Sequence, residues 1–169
     1  MNPLDNMSSQ ELRSYLDFLL WHYKVADAFW FLFTSEQYGQ PAAEELNMRV
    51  WQKAGELAAK NLVKRFNITE KGLDGFIKAQ SVYPWAIIIG YQFERTNNEV
   101  FLTVPSCPSQ TARLKRGLGE YNCKEMHKRE FEAFANVINE RICVECVFAP
   151  PDKHPENTFC KWRFYVKGK

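Results

Sequence analysis

The sequence predicts an α+β fold, in which a helical N-terminal half packs on a roughly four-stranded antiparallel sheet. In the first half of the chain, apolar residues recur at intervals of three or four, which is the spacing of one helix face. After Pro84, short runs of β-branched and aromatic residues alternate with turn-forming residues, as in hairpins. Because the helices precede the hairpins and do not alternate with strands, an antiparallel sheet is favoured over a parallel one.

Length and composition predict a single domain, residues 1–169, with a packed core. Hydrophobic residues make up 46% of the chain and aromatic residues 15%, which disfavours disorder. The 22 Lys and Arg nearly balance the 20 Asp and Glu, so the net charge is only +2. A chain without a broad positive field is a poor match to nucleic acid or an anionic membrane surface. We therefore expect neither partner, and the oligomeric state stays open.

The N-terminal region predicts a protein of the cytoplasm. The first ten residues, "MNPLDNMSSQ", lack the basic and apolar regions of a secretory signal. The most apolar window, "LDFLLWHYKVADAFWFLF", contains Asp17, His22, Lys24 and Asp27, so it predicts a water-soluble helix and not a membrane span. The chain has five cysteines, an odd number, which favours reduced thiols over a disulfide framework.

The first helix is predicted from Ser8 to about Tyr38. Ser8 and Glu11 have the spacing of a capping box, and Gly39 is a typical stop. Residues 29–33, "FWFLF", are apolar all round, which predicts burial on several sides.

A second helix is expected to open at Pro41 and a third to cover residues 70–80, before Pro84 interrupts. In the second helix the apolar residues recur at helical spacing: Leu46, Val50, Ala54, Leu57, Leu62 and Phe66.

The C-terminal half predicts two hairpins and two helices. Strands are expected at 86–94, 99–104, 141–148 and 159–167. Between the hairpins, "QTARLKRG" predicts a short helix ending at Gly117, and "CKEMHKREFEAFANVIN" predicts a long amphipathic helix.

Strand alternation assigns a face to each cysteine of the last hairpin. Residues two apart share a face, so Cys146 lies on the core face of its strand and Cys143 on the opposite face. Cys160 lies on the core face of the last strand. If the two core faces coincide, paired residue numbers have an even sum, and one permitted register places Cys146 opposite Cys160. Since the thiols of Cys143 and Cys146 diverge, this Cys-x-x-Cys is not a zinc knuckle.

The long helix carries the main candidate site. Cys123, His127, Phe131, Phe134 and Ile138 fall on one stripe that faces the interior. A cysteine and a histidine one turn apart can offer two ligands to one metal ion. They can also form a catalytic pair, in which the imidazole activates the thiol as a nucleophile.

Two further cysteines can join this pair. The loop "SCPS" can bring Cys107 toward it, and Cys160 faces the core. If Cys107, Cys123, His127 and Cys160 converge, a thiolate-rich tetrahedral site results, for which zinc is the first expectation and iron the second. The alternative is simple packing, because free cysteine is among the most buried residue types.

Several polar residues near the site are secondary candidates. Glu130 and Glu145 are possible acid–base residues, and His154 lies in a Pro-rich loop. Six basic residues flank the segment and can either form a solvated face or bind a substrate carboxylate: Arg113, Lys115, Arg116, Lys124, Lys128 and Arg129. No P-loop, Rossmann, Gly-x-Ser-x-Gly or His-Glu-x-x-His pattern occurs.

The segments "WFLFTSEQYG", "VWQKAGELAAKNL", "CPSQTARLKRG", "CKEMHKREFEAFANVINERICVECVFAPPD" and "CKWRF" resemble an uncharacterised family of small cytosolic proteins of anaerobic bacteria and archaea, over roughly residues 20–167. The order of Cys107, Cys123 and Cys160 in the C-terminal third is also similar to the 2-aminothiazoline-4-carboxylate hydrolase family. That second resemblance implies opening of a thiazoline ring by C–N hydrolysis. Lys124 stands where that family usually has an acidic residue.

Three functional classes remain open, so the sequence does not decide whether the protein is an enzyme. The first is a binding module, in which a pocket between the "FWFLF" helix and the sheet holds a small, partly apolar ligand, or a metal bound by thiolates and His127. The second is a hydrolase, in which a thiolate or a metal-bound water attacks a C–N substrate and His127 is the general base. The third is a structural protein in which Cys123 and His127 only fill the core.

Overall fold

The structure, a computed structural model that describes residues 2–167, has the predicted α+β architecture. A short 3₁₀ helix, Pro3–Asn6, precedes the main elements. The helices within the described residues are α1 Ser9–Tyr38, α2 Gln40–Arg65, α3 Gly72–Ser81, α4 Pro84–Ile89, α5 Pro108–Lys115 and α6 Lys124–Ile138. The strands are β1 Gln92–Arg95, β2 Glu99–Val104, β3 Ile142–Phe148 and β4 Cys160–Val166.

Helix α1 begins and ends where the sequence predicts. The Ser8 side chain accepts a hydrogen bond from the Glu11 backbone N–H, and the Glu11 carboxylate accepts one from the Ser8 backbone. This capping box satisfies two N–H groups that a helix start would leave unpaired. At the other end, Gly39 has φ of +86°, a conformation that favours glycine and that turns the chain directly into α2.

The predicted burial of "FWFLF" on several sides is wrong. Only Thr34 is buried in the whole of α1, and Phe29, Trp30 and Phe33 are each about half exposed. One face of α1 is covered, where Tyr23 packs against Trp51 and Trp85, and nothing in the described chain covers the other. Neither α1 nor any other described helix is long and apolar enough to cross a membrane.

Helix α2 buries three small residues and Trp51, and leaves most of its predicted apolar stripe exposed. Its buried residues are Ala43, Trp51, Gly55 and Ala59, while Leu46, Val50, Leu57 and Phe66 of the predicted apolar stripe are exposed. Gly55 explains why. A Cβ at Gly55 would lie 3.0 Å from the Glu130 carbonyl oxygen and 3.2 Å from its Cγ, so a small residue is needed where α2 crosses α6.

The strand predicted for residues 86–94 is wrong in its first half. Residues 84–89 form α4, and strand β1 begins only at Gln92. Pro84 occupies the first turn, where its fixed φ favours a helix, and Gly90 ends the helix in the left-handed conformation. These two helix signals outweigh the β-propensity of the three isoleucines between them.

The sheet is antiparallel with the order β1-β2-β4-β3. The last hairpin pairs Ile142 with Val166 and Cys146 with Trp162, after which a bulge shifts the register. Cys146 therefore shares the core-facing side with Trp162 and Cys160, as predicted, whereas Cys143 pairs with Tyr165 on the other side. The register that places Cys146 opposite Cys160 is wrong by two residues, because Cys146 pairs with Trp162.

The core lies between this sheet and helices α3 and α6. The rings of Phe131 and Trp162 are 5.3 Å apart and those of Phe76 and Phe164 are 4.4 Å apart, and all four side chains are fully buried. Aromatic contacts of this kind fix α6 against the sheet. The stripe of α6 that carries Cys123 and His127 is thereby directed into the interior.

Candidate functional site

Helix α6 presents its predicted stripe to the interior. Cys123 is 4% exposed, Phe131 and Phe134 are fully buried, and the His127 side chain is 22% exposed. His127 stacks on Phe131, with ring centroids 5.7 Å apart, which fixes the plane of the imidazole.

A buried carboxylate joins His127 to a tyrosine on another helix. The Glu130 side chain is 2% exposed, and its Oε2 lies 2.9 Å from Nδ1 of His127. Its Oε1 accepts a hydrogen bond of 2.8 Å from the Tyr83 hydroxyl. Both carboxylate oxygens are thus occupied, as a buried carboxylate requires. Since Glu130 engages Nδ1, Nε2 is the nitrogen of His127 that remains for another partner.

A second carboxylate, Asp27 of α1, lies near the first. The pKa of Asp27 is raised to about 6, mainly by burial and also by the nearby charge of Glu130. A hydrogen bond from Trp51 acts in the opposite direction. Two carboxylates and an imidazole in one partly dry environment form the most polar part of the interior. Clusters with displaced pKa values are typical of functional sites, although structural networks produce them too.

All four predicted ligands line one small cavity of about 20 Å³, the inner cavity. These are Cys107, Cys123, His127 and Cys160. They share that cavity without forming a ligand set, because the described residues contain no group of three or more His, Cys, Asp or Glu side chains arranged to hold a metal ion. The four side chains therefore line one cavity, and their binding of zinc or iron stays a prediction.

The thiols of this cavity are not activated. Burial raises the pKa of Cys123 to about 12 and raises the pKa values of Cys107 and Cys160 as well. The fully buried Gln110 donates a hydrogen bond to the Cys123 sulfur, at 3.4 Å, and to the Tyr121 carbonyl. A nucleophilic cysteine needs a lowered pKa, so the geometry favours His127 over Cys123 as the reactive group.

The inner cavity is the end of a series of three adjoining cavities. A middle cavity of about 40 Å³ shares Cys107, Cys123 and His127 with it, and is also lined by Asp27 and Glu130. An outer cavity of about 130 Å³ adjoins the middle one, since both are lined by Asp27, Ser109 and Tyr121. The outer cavity lies between α1 and α5, beside the "FWFLF" segment, whereas the sequence predicts a pocket between that helix and the sheet.

The outer cavity has apolar walls and a basic rim. Phe31 and Leu32 of α1 line it on one side, and Arg113 and Arg116 line it on the other. Arg113 donates hydrogen bonds to the carbonyls of Leu118 and Gly119 and lies over the Tyr121 ring. These contacts stabilise the wall of the outer cavity. Arg116 is exposed, and within the described residues its guanidinium has no hydrogen-bond or ion-pair partner.

The remaining candidates lie away from this series. Cys146 faces a surface groove that Lys124 and Lys128 also line, and burial raises its pKa to about 11. Glu145 is exposed and pairs with Arg163, which does not suit an acid–base role. Lys124 pairs with Asp152 and Arg129 with Glu125, so these cations have structural partners.

His154 is part of a loop contact and does not reach the cavities. Its Nε2 lies 2.9 Å from Glu120, and its Nδ1 lies 3.0 Å from the Pro155 carbonyl oxygen. These hydrogen bonds raise the pKa of His154.

Sequence reasoning did not find Asp27, Gln110 or Tyr83 as site residues. Asp27 had a usable signal, namely a carboxylate in the middle of the most apolar helix of the chain. Gln110 and Tyr83 had none, because their roles depend on contacts across 13 and 47 residues of sequence.

Comparison with known proteins yields a family and a fold. The model of a family of unknown function, DUF6125, matches residues 6–166. No curated protein matches, so the similarity to the aminothiazoline carboxylate hydrolases stays a prediction. The crystal structure of a trafficking protein particle complex subunit 3 from Naegleria fowleri, covalently bound to palmitic acid, has a similar fold. The TM-score is 0.51 with 10% identity, over 86% of this chain and 97% of that chain.

Proposed function

The chain belongs to this family of unknown function, DUF6125, and we propose that it binds a small, partly apolar ligand in its three adjoining cavities. The observation that carries the proposal is the continuity of the cavities from the outer wall of α1 to the buried pair of His127 and Glu130. Ligand sites are concave, mostly apolar and equipped with a few convergent polar groups, and this series has each of those properties.

The lining suggests where each part of the ligand lies. An apolar body fits between Phe31, Leu32 and Tyr121, and a polar inner end can reach Nε2 of His127. At the rim, Arg116 is free to bind a carboxylate. An inner carboxylate is disfavoured, because Asp27 and Glu130 already place two acidic groups there.

The structural neighbour supports an acyl compound as one class of ligand. That protein carries palmitic acid covalently, and at 10% identity it shares only its fold with this chain. A fatty acid with its carboxylate at Arg116 and its chain in the outer cavity would match the apolar wall and the basic rim, and would leave His127 without a ligand contact. A compact aryl acid would match the same wall and rim.

Calorimetric titration of the whole chain with palmitic acid and with 3-phenylpropanoic acid tests the proposal. We expect saturable binding of at least one acid. Ala112→Trp fills the outer cavity and should abolish it, whereas Lys115→Trp, on the same helix outside the cavity, should leave it unchanged. Arg116→Ala should weaken binding about tenfold, the equivalent of one hydrogen bond to a charged group.

Two outcomes would overturn the proposal. Binding that survives Ala112→Trp would take place elsewhere on the protein. If neither acid binds, the proposal of a carboxylate ligand is wrong, and the cavities are gaps in the packing of the interior.

Hydrolysis of a C–N bond is a second candidate, favoured by one observation. A carboxylate that orients an imidazole through Nδ1 and leaves Nε2 toward a cavity is the arrangement of a general base. Because the Cys123 pKa is raised, the attacking group would be water. Turnover of 2-aminothiazoline-4-carboxylate and of simple amides, abolished in His127→Ala, would support this candidate, and no turnover would exclude those substrates.

A further inference from the structure

One exposed side of α1, which borders the face that packs on the core, carries a regular apolar seam. Six of its residues are exposed and follow one another at intervals of four, three, seven, four and three: Leu12, Leu16, Leu19, Ala26, Trp30 and Phe33. The position missing from the interval of seven is Tyr23, which turns inward to Trp51 and Trp85. We call these six residues the outer seam. Its spacing is that of a helix that packs against another helix along its length.

The part of α1 that precedes Tyr23 contributes none of the apolar side chains that pack on the core, so core contacts do not explain its composition. None of its residues is buried, and the large apolar side chains of Leu16, Phe18 and Trp21 are each about half exposed to solvent. The rings that Phe18 contacts, those of Tyr15, Trp21 and His22, belong to the same helix. Large apolar side chains left in water around a helix are typical of a surface that another molecule covers.

The solvent-accessible area of the whole chain indicates how much surface a partner could cover. Folded monomers of 19.8 kDa expose about 8,600 Å². This chain exposes 10604 Å². The excess of about 2,000 Å² exceeds the roughly 800 Å² that each partner buries in a stable interface of ordinary size.

The charge of α1 argues against a lipid surface as the occupant. Helices that lie on anionic membranes carry Lys and Arg along their polar face. Helix α1 has four acidic and two basic residues, Glu11, Asp17, Asp27 and Glu36 against Arg13 and Lys24. A second protein helix is the better match.

The seam itself favours a second copy of this chain. A four-three spacing packs against a helix with the same spacing, and a twofold axis places a seam against its own copy. Helix α2 adds exposed Leu46, Val50 and Leu57 at intervals of four and seven, a spacing of the same kind. The α1–α2 hairpin therefore offers a self-complementary pair of apolar helices.

We propose that the protein is a homodimer whose interface is formed by the outer seam of α1. The proposal does not depend on the ligand cavities, because Leu16 and Trp30 do not line them. The dimer buries Trp30, the tryptophan of the outer seam, which is 60% exposed in the single chain.

Sedimentation equilibrium of the whole chain, with quenching of tryptophan fluorescence by iodide, tests this. The wild-type chain should have twice the mass of 19.8 kDa, and the double variant Leu16→Glu, Trp30→Glu should be monomeric. The double variant Leu114→Glu, Leu118→Glu adds the same two charges at exposed leucines in and after α5 and should remain dimeric. In the Trp21→Phe variant, where Trp30 is the one exposed tryptophan of the described residues, dilution to monomer should raise quenching at least twofold.

A wild-type chain that is monomeric at about 100 μM, with readily quenched tryptophans, would overturn the proposal. Co-sedimentation of that monomer with vesicles of phosphatidylcholine and phosphatidylserine would assign the seam to a lipid surface instead. If the Leu16→Glu, Trp30→Glu variant fails to fold, the mass of the wild-type chain and the concentration-dependent quenching of Trp21→Phe still decide the matter.

Discussion

The imidazole of His127 and the carboxylate of Glu130 lie one helical turn apart, with 2.9 Å between Nδ1 and Oε2. Helical geometry alone brings residues three apart onto neighbouring positions, so the pair forms as soon as α6 forms. Its burial, however, depends on α2 and Tyr83, which close the site from the other side.

Tyr83→Phe removes one of the two partners of Glu130. We expect the free energy of unfolding to fall by about 1–3 kcal/mol, because a buried carboxylate oxygen loses its donor. Urea denaturation at pH 7 measures the change. Tyr38→Phe, at a residue that is 69% exposed, should change stability by less than about 0.5 kcal/mol, and equal effects of the two variants would contradict the assigned role.

Asp27→Asn should stabilise the protein near neutral pH. The pKa of Asp27 is raised from 3.8 to about 6 in the folded state, so the folded state binds its proton more tightly than the unfolded state. Ionisation of Asp27 therefore costs stability as the pH rises from about 4 to 6, and the cost persists above 6. We expect a gain on the order of 1–2 kcal/mol at pH 7.5 and almost none at pH 4.

Denaturation of the wild-type chain and of Asp27→Asn between pH 4 and 8 measures this difference. Asp17→Asn is the matched control, since Asp17 is an exposed residue of the same helix. A gain for Asp27→Asn that does not change with pH would contradict the assigned titration.

The five free cysteines should alkylate in a fixed order. Cys143 should react first with iodoacetamide at pH 8, followed by Cys146, whose pKa is raised to about 11. Cys123 and Cys160, at 4% and 6% exposure and with raised pKa values, should react at least about tenfold more slowly than Cys143. Peptide mass spectrometry over time gives the order. Early modification of Cys123 would restore it as a nucleophile.

Metal content tests the predicted zinc or iron site. If Cys107, Cys123, His127 and Cys160 bind an ion, elemental analysis of the purified chain should find close to one equivalent, and His127→Ala should lose it. Cys143→Ala, which alters a thiol outside the inner cavity, is the control. A wild-type chain that stays free of zinc and iron after incubation with either ion would refute the site.

Gly55→Ala tests the close crossing of α2 and α6. A methyl group at Gly55 would lie 3.0 Å from the Glu130 carbonyl oxygen, so the helices must separate. We expect a loss of about 1–3 kcal/mol, as for other overpacked interiors, despite the higher helix propensity of alanine. Thermal unfolding measures it, with the exposed Lys53→Ala as a neutral control. If Gly55→Ala is instead more stable than the wild-type chain, α2 and α6 do not cross as closely as the 3.0 Å distance implies.

Features that depend on neighbouring residues could be predicted from the sequence. The capping box of Ser8 and Glu11, the inward stripe of α6 and the opposed faces of Cys143 and Cys146 all follow from helix and strand periodicity, and the structure confirms them. The fold class follows from the same periodicities.

Features that depend on which surfaces meet could not be predicted. Apolar residues at helical spacing in α1 and α2 show that a face is apolar, but not whether this chain covers it. Trp30 and Leu57 are exposed for that reason, and Gly55 is buried because the crossing with α6 requires it. The partnership of Glu130 with Tyr83, 47 residues away, likewise has no local signal.

The position of β4 has a consequence for synthesis on the ribosome. It is hydrogen-bonded on both sides, by β2 and by β3, yet it follows every other described element along the chain. Strand β2 must wait for a partner some sixty residues later, since Val100 pairs with Phe164. Until translation has delivered β4, the nascent chain consists of a helical layer, a short hairpin and a lone strand with unpaired edges. Unpaired strand edges promote aggregation and are surfaces that chaperones cover. The nascent chain is therefore prone to aggregate during this interval.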